Sequence, residues 1–117
     1  MTPLADVRFE VTDRVVIARL QGEIDMSNAG ELGRAISGRV PADAVAVVLD
    51  VSGVDYVDSA GIHVVYQLRQ RLGQRGQAVR LVVARDSPVA AALEYAGAAR
   101  ALSAADTVQD AIADLRD

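Results

Sequence analysis

Residues 50–62, DVSGVDYVDSAGI, follow the longest aliphatic run of the chain and precede a segment with helical periodicity. The residues before them, 44–51, are almost continuously apolar, which is typical of a central parallel strand with helices on both faces. After Ser59, apolar residues recur at helical spacing from Gly61 to Leu72. We therefore predict a buried strand, then a loop that carries three acidic residues, then a helix that begins near Ser59.

The other segments alternate between strand-like and helix-like patterns. In chain order they predict a hairpin over residues 7–20, a helix over 29–40, a strand over 78–84, a helix from Ser87 and a helix from Thr107. The order β-β-α-β-α-β-α-α describes a small α/β domain, with a mixed sheet of about four to five strands and about four helices. We predict one domain over residues 1–117, which is long enough to bury its own core.

Polar residues at the predicted helix starts support these boundaries. Ser27 or Asn28 can cap the first helix, and Ser87 precedes a proline at the start of the third. Thr107 and Asp110 have the spacing of a capping box at the last helix. The sequence therefore predicts packed helices to within a residue or two of the end of the chain.

The composition excludes several classes of function. The chain has no cysteine and one histidine, so thiol redox chemistry and thiolate metal sites are ruled out, and we expect no metal and no cofactor. A net charge of −4 disfavours nucleic-acid binding, which needs concentrated positive charge. The sequence shows no basic leader and no apolar run that could span a membrane, so we expect a soluble, cytoplasmic protein without a membrane partner.

Ser59 is the strongest candidate for a functional residue, and its setting allows two interpretations. Asp58 or Ser59 can simply cap the helix, which contributes about 1 kcal/mol. Alternatively, Ser59 accepts a phosphate, which meets unpaired N–H groups and the positive end of the helix dipole while its charge faces nearby carboxylates. A hydrolase is disfavoured because Ser59 does not lie in a G-x-S-x-G turn. We expect no catalytic residue and no enzymatic activity.

Two motifs in the right order give the chain a family likeness. Residues 50–57, DVSGVDYV, and 58–62, DSAGI, form one motif at the end of an apolar strand and the start of a helix, and residues 22–25, GEID, form a second motif after the second strand. The chain resembles the STAS domains of bacterial anti-sigma factor antagonists over nearly its whole length. The resemblance implies a small STAS-like domain in which Ser59 is the phosphorylation site.

The same resemblance implies a partner switch. The unphosphorylated protein is expected to bind an anti-sigma factor that is also a serine kinase of the histidine-kinase-like ATPase class, which releases a sigma factor. Phosphorylation of Ser59 with ATP is expected to end this interaction, and a metal-dependent serine phosphatase to restore it. The partner-binding residues that the resemblance implies are Asp25, Met26, Ser27, Asp58, Ala60, Gly61, Ile62 and His63.

Three further features of the sequence, namely His63, Asp25 and a cluster of arginines, each allow a structural and a functional interpretation. His63, one helical turn from Ser59, is either a surface residue or a partner for a phosphate that makes the switch sensitive to pH near neutrality. Asp25 is either a turn or cap residue, or, as the resemblance implies, part of a loop beside Ser59. The arginine cluster within residues 69–75 is either a solvated helix face or a docking surface.

Two other functions compete with this interpretation. A phospho-aspartate receiver domain is one, because Asp50 ends a central apolar strand in an α/β chain of suitable length. Such a receiver also needs a lysine at the phosphoryl group, and this chain contains none. The other rival is a STAS module that binds a different partner in a stress-signalling assembly. A STAS tail of an anion transporter is disfavoured because the chain ends suggest a freestanding protein.

Overall fold

The computed structural model describes residues 6–102 and 104–115 of the chain. In chain order the elements are β1 (Asp6–Thr12), β2 (Val15–Ile24), α1 (Ala29–Gly38), β3 (Ala46–Val57), α2 (Ser59–Gly73), β4 (Ala78–Val82), α3 (Pro88–Tyr95), β5 (Ala104–Ala105) and α4 (Val108–Leu115). The strands form one mixed sheet in the order β1-β2-β3-β4-β5, in which β1 is antiparallel to β2 and the other neighbours are parallel. The predicted α/β class and mixed sheet are confirmed.

The predicted element order lacks one strand. Ala104–Ala105 forms β5 and pairs with Leu81 and Val82 of β4, so the order is β-β-α-β-α-β-α-β-α. Two alanines show no alternation and carry no β-branched side chain, so their sequence does not indicate a strand. Only the pairing with β4 makes them part of the sheet.

The acidic segment after residue 51 is a strand, and the predicted loop at this place is wrong. β3 continues to Val57 because β2 also continues past residue 20 to Ile24, and the two strand ends pair in parallel. The register shifts after Arg19 and again after Gly22, whose φ of 104° is a conformation that glycine adopts readily. Each shift gives β3 one extra residue, and such bulges are common beside functional sites.

A two-residue turn joins β1 to β2 and confirms the predicted hairpin. Asp13 and Arg14 have φ values of 48° and 64°, which is the left-handed conformation that both central residues of a type I′ turn require. Thr12 and Val15 pair directly across the turn. The tight turn determines the register of the whole β1–β2 ladder, because each further pair follows from the first.

The sheet carries an apolar core on each face. α1, α2 and α3 cover one face, where side chains such as Leu32, Leu72 and Leu93 are buried. On the other face, α4 packs Ala111 into a second cluster that includes Val48. Because helices cover β3 from both sides, its first residues are apolar in succession rather than in alternation.

The predicted caps of α3 and α4 are confirmed. The Ser87 hydroxyl accepts a hydrogen bond from the amide of Ala90 at 3.0 Å, and the Thr107 hydroxyl accepts one from the amide of Asp110 at 3.0 Å. Each contact satisfies one of the amides that have no carbonyl partner in the first turn of a helix.

Asp50 is a buried acidic residue whose carboxylate is engaged by its neighbours. Oδ1 accepts hydrogen bonds from the amide and the hydroxyl of Ser52, at 3.0 and 2.6 Å, and Oδ2 accepts one from Arg19 at 3.0 Å. The pKa of Arg19 is raised, mainly by its hydrogen bond to Glu10. The contacts between Asp50 and Ser52, in the DVSGVDYV motif, therefore stabilise β3 at its first bulge.

We expect Asp50→Ala to lower the free energy of unfolding by about 2–4 kcal/mol, because it leaves partly buried donors without an acceptor. Urea denaturation followed by circular dichroism measures this change. Asp43→Ala is the control, since Asp43 is exposed and surface substitutions change stability by about 0.5 kcal/mol or less. Equal losses in both variants would show that the contacts of Asp50 do not stabilise the fold.

Candidate functional site

The candidate site lies where β2 and β3 end. Ile24 and Val57 are the last paired residues of these two parallel strands, so the segments that follow leave the sheet side by side. Residues 25–28 lead into α1, and Asp58 leads directly into α2. The carboxyl ends of parallel strands are where open α/β sheets commonly bind their ligands. The fold therefore brings the GEID and DSAGI motifs together.

The carboxylate of Asp58 joins the two segments. Oδ1 accepts a hydrogen bond from the amide of Gly61 at 3.1 Å and so caps α2, while Oδ2 accepts one from the amide of Met26 at 3.1 Å. The amide of Asp58 in turn donates to the carbonyl of Ile24 at 3.2 Å. Of the two residues that the sequence offers as the cap, Asp58 is therefore the one that the structure uses.

Side chains within residues 25–28 hold that loop in shape. Asp25 Oδ1 accepts hydrogen bonds from the amide and the hydroxyl of Ser27, at 2.9 and 2.6 Å. Asn28 is buried, accepts from the amide of Asp25 at 2.9 Å and donates to the carbonyl of Glu23 at 2.8 Å. Asn28 precedes α1 but folds back on the loop instead of capping the helix with its side chain, which corrects the predicted cap.

Gly61 allows α2 to approach the sheet. A Cβ at this position would overlap Val57 Cγ2 and lie 3.0 Å from Ile24 Cγ2, so any larger residue would push the helix away from the ends of β2 and β3. Gly61 is buried. This close contact explains why the DSAGI motif has a glycine here. Gly61 shapes the surrounding surface by allowing its neighbours to lie close to the sheet.

Ser59 is the first residue of α2 and is exposed. Its hydroxyl makes no hydrogen bond to any described residue, and neither its amide nor that of Ala60 has an acceptor in the described part of the chain. Unpaired amides are the normal state of a first helical turn, where they favour a bound anion. A phosphate on Ser59 would therefore find two free donors in its immediate neighbourhood.

The predicted partner-binding residues differ in exposure. Met26, Ser27 and His63 are exposed, Asp25, Asp58, Ala60 and Ile62 are half-buried, and Gly61 is buried. We call residues 25–27 and 58–63 the loop–helix surface. Tyr56, two residues before Asp58, has no role in the predictions made from the sequence, although it is 50% exposed and its aromatic ring stands out in a polar segment. Asn28 is predicted only as a helix cap, and no local pattern signals that its side chain is buried and holds the loop.

The described residues also bear on three other features: a metal site, a membrane span and a phospho-aspartate receiver site at Asp50. Residues 6–102 and 104–115 contain no cluster of acidic, histidine or cysteine side chains that could hold a metal ion. No helix among them has the length and apolar character needed to cross a membrane. Asp50, the acceptor in the receiver interpretation, is buried and hydrogen-bonded to Ser52 and Arg19, so its oxygens are not presented to a phosphoryl donor.

The chain belongs to the STAS domain family, which it matches over residues 6–111. The anti-sigma-F factor antagonist RsfB of Mycobacterium tuberculosis is 29% identical over 103 residues, which cover 87% of this chain and 82% of RsfB. BtrV of Bordetella bronchiseptica is 37% identical over 62 residues, so that match spans about half of this chain and half of BtrV, 53% in each case.

A solved structure agrees with the fold. The crystal structure of an anti-sigma factor antagonist from Mycobacterium paratuberculosis matches this chain with a TM-score of 0.83 at 26% identity, and the match covers 97% of this chain and 95% of the other. The resemblance to STAS domains that the two motifs indicate is therefore confirmed.

We expect Asp58→Ala to lower the free energy of unfolding by about 1–2 kcal/mol and to speed the hydrogen exchange of the Met26 and Gly61 amides, which lose their acceptor. Amide exchange followed by NMR measures both sites. Ser87→Ala is the control because it removes the comparable cap of α3. Ser87→Ala should lower the free energy of unfolding by a similar amount and leave the hydrogen exchange of the Met26 amide unchanged. Equal exchange of Met26 in both variants would show that Asp58 does not hold the loop.

We expect Gly61→Ala to lower the free energy of unfolding by about 1–3 kcal/mol, because the added methyl group overlaps Val57. Thermal denaturation measures the change. Gly73→Ala, at the other end of α2, adds a Cβ that meets nothing within 4 Å. It should raise stability by up to about 1 kcal/mol through better helix propensity. A Gly61→Ala protein as stable as Gly73→Ala would contradict the close approach.

Proposed function

We propose that this protein is an anti-sigma factor antagonist whose binding is switched off by phosphorylation of Ser59. The unphosphorylated form binds an anti-sigma factor that is also a serine kinase of the histidine-kinase-like ATPase class, and a sigma factor is released. A serine phosphatase restores the binding form, and the cycle takes place in the cytoplasm. The antagonist role is supported by the names of RsfB and of the Mycobacterium paratuberculosis structure.

The observation that carries the proposal is the environment of the Ser59 hydroxyl. It is exposed, lies at the start of α2 and has no hydrogen-bond partner among the described residues. The hydroxyls of Ser27 and Ser52, by contrast, are each held by an aspartate at 2.6 Å. A kinase must reach the oxygen and take its proton, and of these three serines Ser59 is the one whose hydroxyl is free for both.

Phosphorylation needs only an acceptor from this chain. The bond between Ser59 Oγ and the γ-phosphorus of ATP forms while the bond from that phosphorus to the departing ADP oxygen breaks, and the hydroxyl proton passes to a base of the kinase. The nucleotide and the base belong to the partner. The protein is therefore a binding partner and a substrate of the kinase, and not an enzyme.

The added charge explains why binding ends. A phosphate brings a charge of about −1.5 to −2 to a position next to the Asp58 carboxylate. If a partner covers this position without supplying cations, the buried charge costs several kcal/mol, which is enough to abolish a micromolar complex. Because Asp58 already ties the loop to the start of α2, the switch needs a change of charge and no refolding.

The loop–helix surface supplies the contacts for the anti-sigma factor. The proposed partner-binding residues are Asp25, Met26, Ser27, Asp58, Ala60, Gly61, Ile62 and His63. Met26 is 83% exposed, and such a flexible apolar side chain adapts readily to a partner. Asp58 and Gly61 contribute by shaping the surface, since one is hydrogen-bonded and the other is buried.

We expect Ser59→Ala to bind the anti-sigma kinase tightly and to resist modification, and Ser59→Glu to bind at least about tenfold more weakly because of its charge. Ser59→Gln separates charge from size and should bind better than Ser59→Glu. Incubation with candidate anti-sigma kinases and ATP, mass spectrometry and isothermal titration measure modification and affinity.

Ser27→Ala is the control for the site of modification, because Ser27 lies on the same surface but its hydroxyl is bound to Asp25. It should still take up a single phosphate at Ser59. Undiminished binding by Ser59→Glu and by the phosphorylated wild type would refute the switch.

A further inference from the structure

β1 has a free backbone edge among the described residues, since β2 is its only described neighbour in the sheet. The two-residue turn closes on a hydrogen-bonded pair, Thr12 with Val15, and such pairs alternate along an antiparallel ladder. The N–H and C=O groups of Val7, Phe9 and Val11 therefore face away from β2. An unpaired edge of this kind is a template for another strand.

The charges of β1 are arranged symmetrically around Phe9. If a second copy of β1 pairs in antiparallel orientation with Phe9 opposite Phe9, Arg8 of each copy lies opposite Glu10 of the other. The same register places the outward backbone groups of Val7 opposite those of Val11, so the hydrogen-bonding pattern and the charges agree. Cross-strand pairs of opposite charge stabilise a sheet, and like charges directly opposite destabilise it.

Within residues 6–102 and 104–115, Arg8 has no opposite charge to pair with. In the β1–β2 ladder Arg8 lies directly opposite Arg19, and Arg8 forms no ion pair with any described residue. Arg19 instead pairs with Glu10 and Asp50. Glu10 from a second copy would place a carboxylate opposite Arg8.

The apolar side chains of β1 are also compatible with a second copy of β1 as the partner strand. Val7 and Phe9 pack against the core that α1, α2 and α3 cover, and the centre of the Phe9 ring lies 4.4 Å from the guanidinium carbon of Arg39. Val11 is 68% exposed. In the paired register, Val7 of the second copy lies opposite Val11 and covers part of that exposed surface.

We propose that the β1 edge binds a second copy of this chain, in a two-fold symmetric dimer whose two sheets join through β1. The same residues from both copies form the contact, as an isologous interface requires. The dimer uses none of the loop–helix surface, so each copy keeps Ser59 exposed. The inference stands whether or not Ser59 is a phosphorylation site.

Sedimentation equilibrium of the full chain, from micromolar to millimolar concentration, tests the dimer. We expect Arg8→Glu and Glu10→Arg each to weaken dimerisation about tenfold or more, because each places like charges opposite one another twice. An equimolar mixture of the two variants should dimerise as well as the wild type, because every cross-strand pair in the mixed dimer again has opposite charges.

Arg8→Glu places a carboxylate opposite Arg19 in the β1–β2 ladder, so we expect it to weaken the dimer without weakening the fold of the monomer. Val11→Pro removes one outward amide without disturbing the bonds to β2, and should also weaken dimerisation, whereas Val11→Thr keeps the amide and should not. Thermal denaturation of each variant checks that it is folded. A wild type that stays monomeric at millimolar concentration, or a dimer that the two charge variants leave unchanged, overturns the proposal.

Discussion

The hydrogen bonds of a single carboxylate, that of Asp58, hold the candidate site together. One oxygen caps α2 through the amide of Gly61 and the other binds the amide of Met26, which is 32 residues away in sequence. This bridge is possible because Ile24 and Val57 end their strands as neighbours. It also requires the close approach of α2 to the sheet, which Gly61 permits. The loop, the helix start and both strand ends therefore form one unit.

The polar side chains around this unit differ in their hydrogen bonds. Asp25, Asp50 and Asp58 each accept hydrogen bonds that shape the backbone or a neighbouring side chain. Ser59 makes no such hydrogen bond among the described residues, so a phosphate on it would leave the surrounding hydrogen bonds intact and would act through its charge. In the proposed switch, neither state would therefore have to rebuild the backbone.

The two proposed contacts use different parts of the molecule. The loop–helix surface lies beyond the carboxyl ends of β2 and β3, whereas the β1 edge runs along the side of the sheet. The first depends on exposed side chains around Ser59, and the second on backbone groups and on the symmetric placement of Arg8 and Glu10. On these two proposals, a change of charge at Ser59 would leave the edge contact unaltered, and a dimer would present two copies of the proposed switch.

The sequence by itself determined most elements, the caps at Ser87 and Thr107, the family and the position of Ser59 at a helix start, because these depend on local periodicity and short motifs. Tertiary structure decided that β3 extends to Val57, that the alanines of β5 form a strand and that Asn28 folds back on its loop. Tertiary structure also decided that Asp58, and not Ser59, caps α2, and that the carboxylate of Asp58 binds the amide of Met26. Each of these depends on hydrogen bonds or strand pairing that the local sequence pattern does not signal.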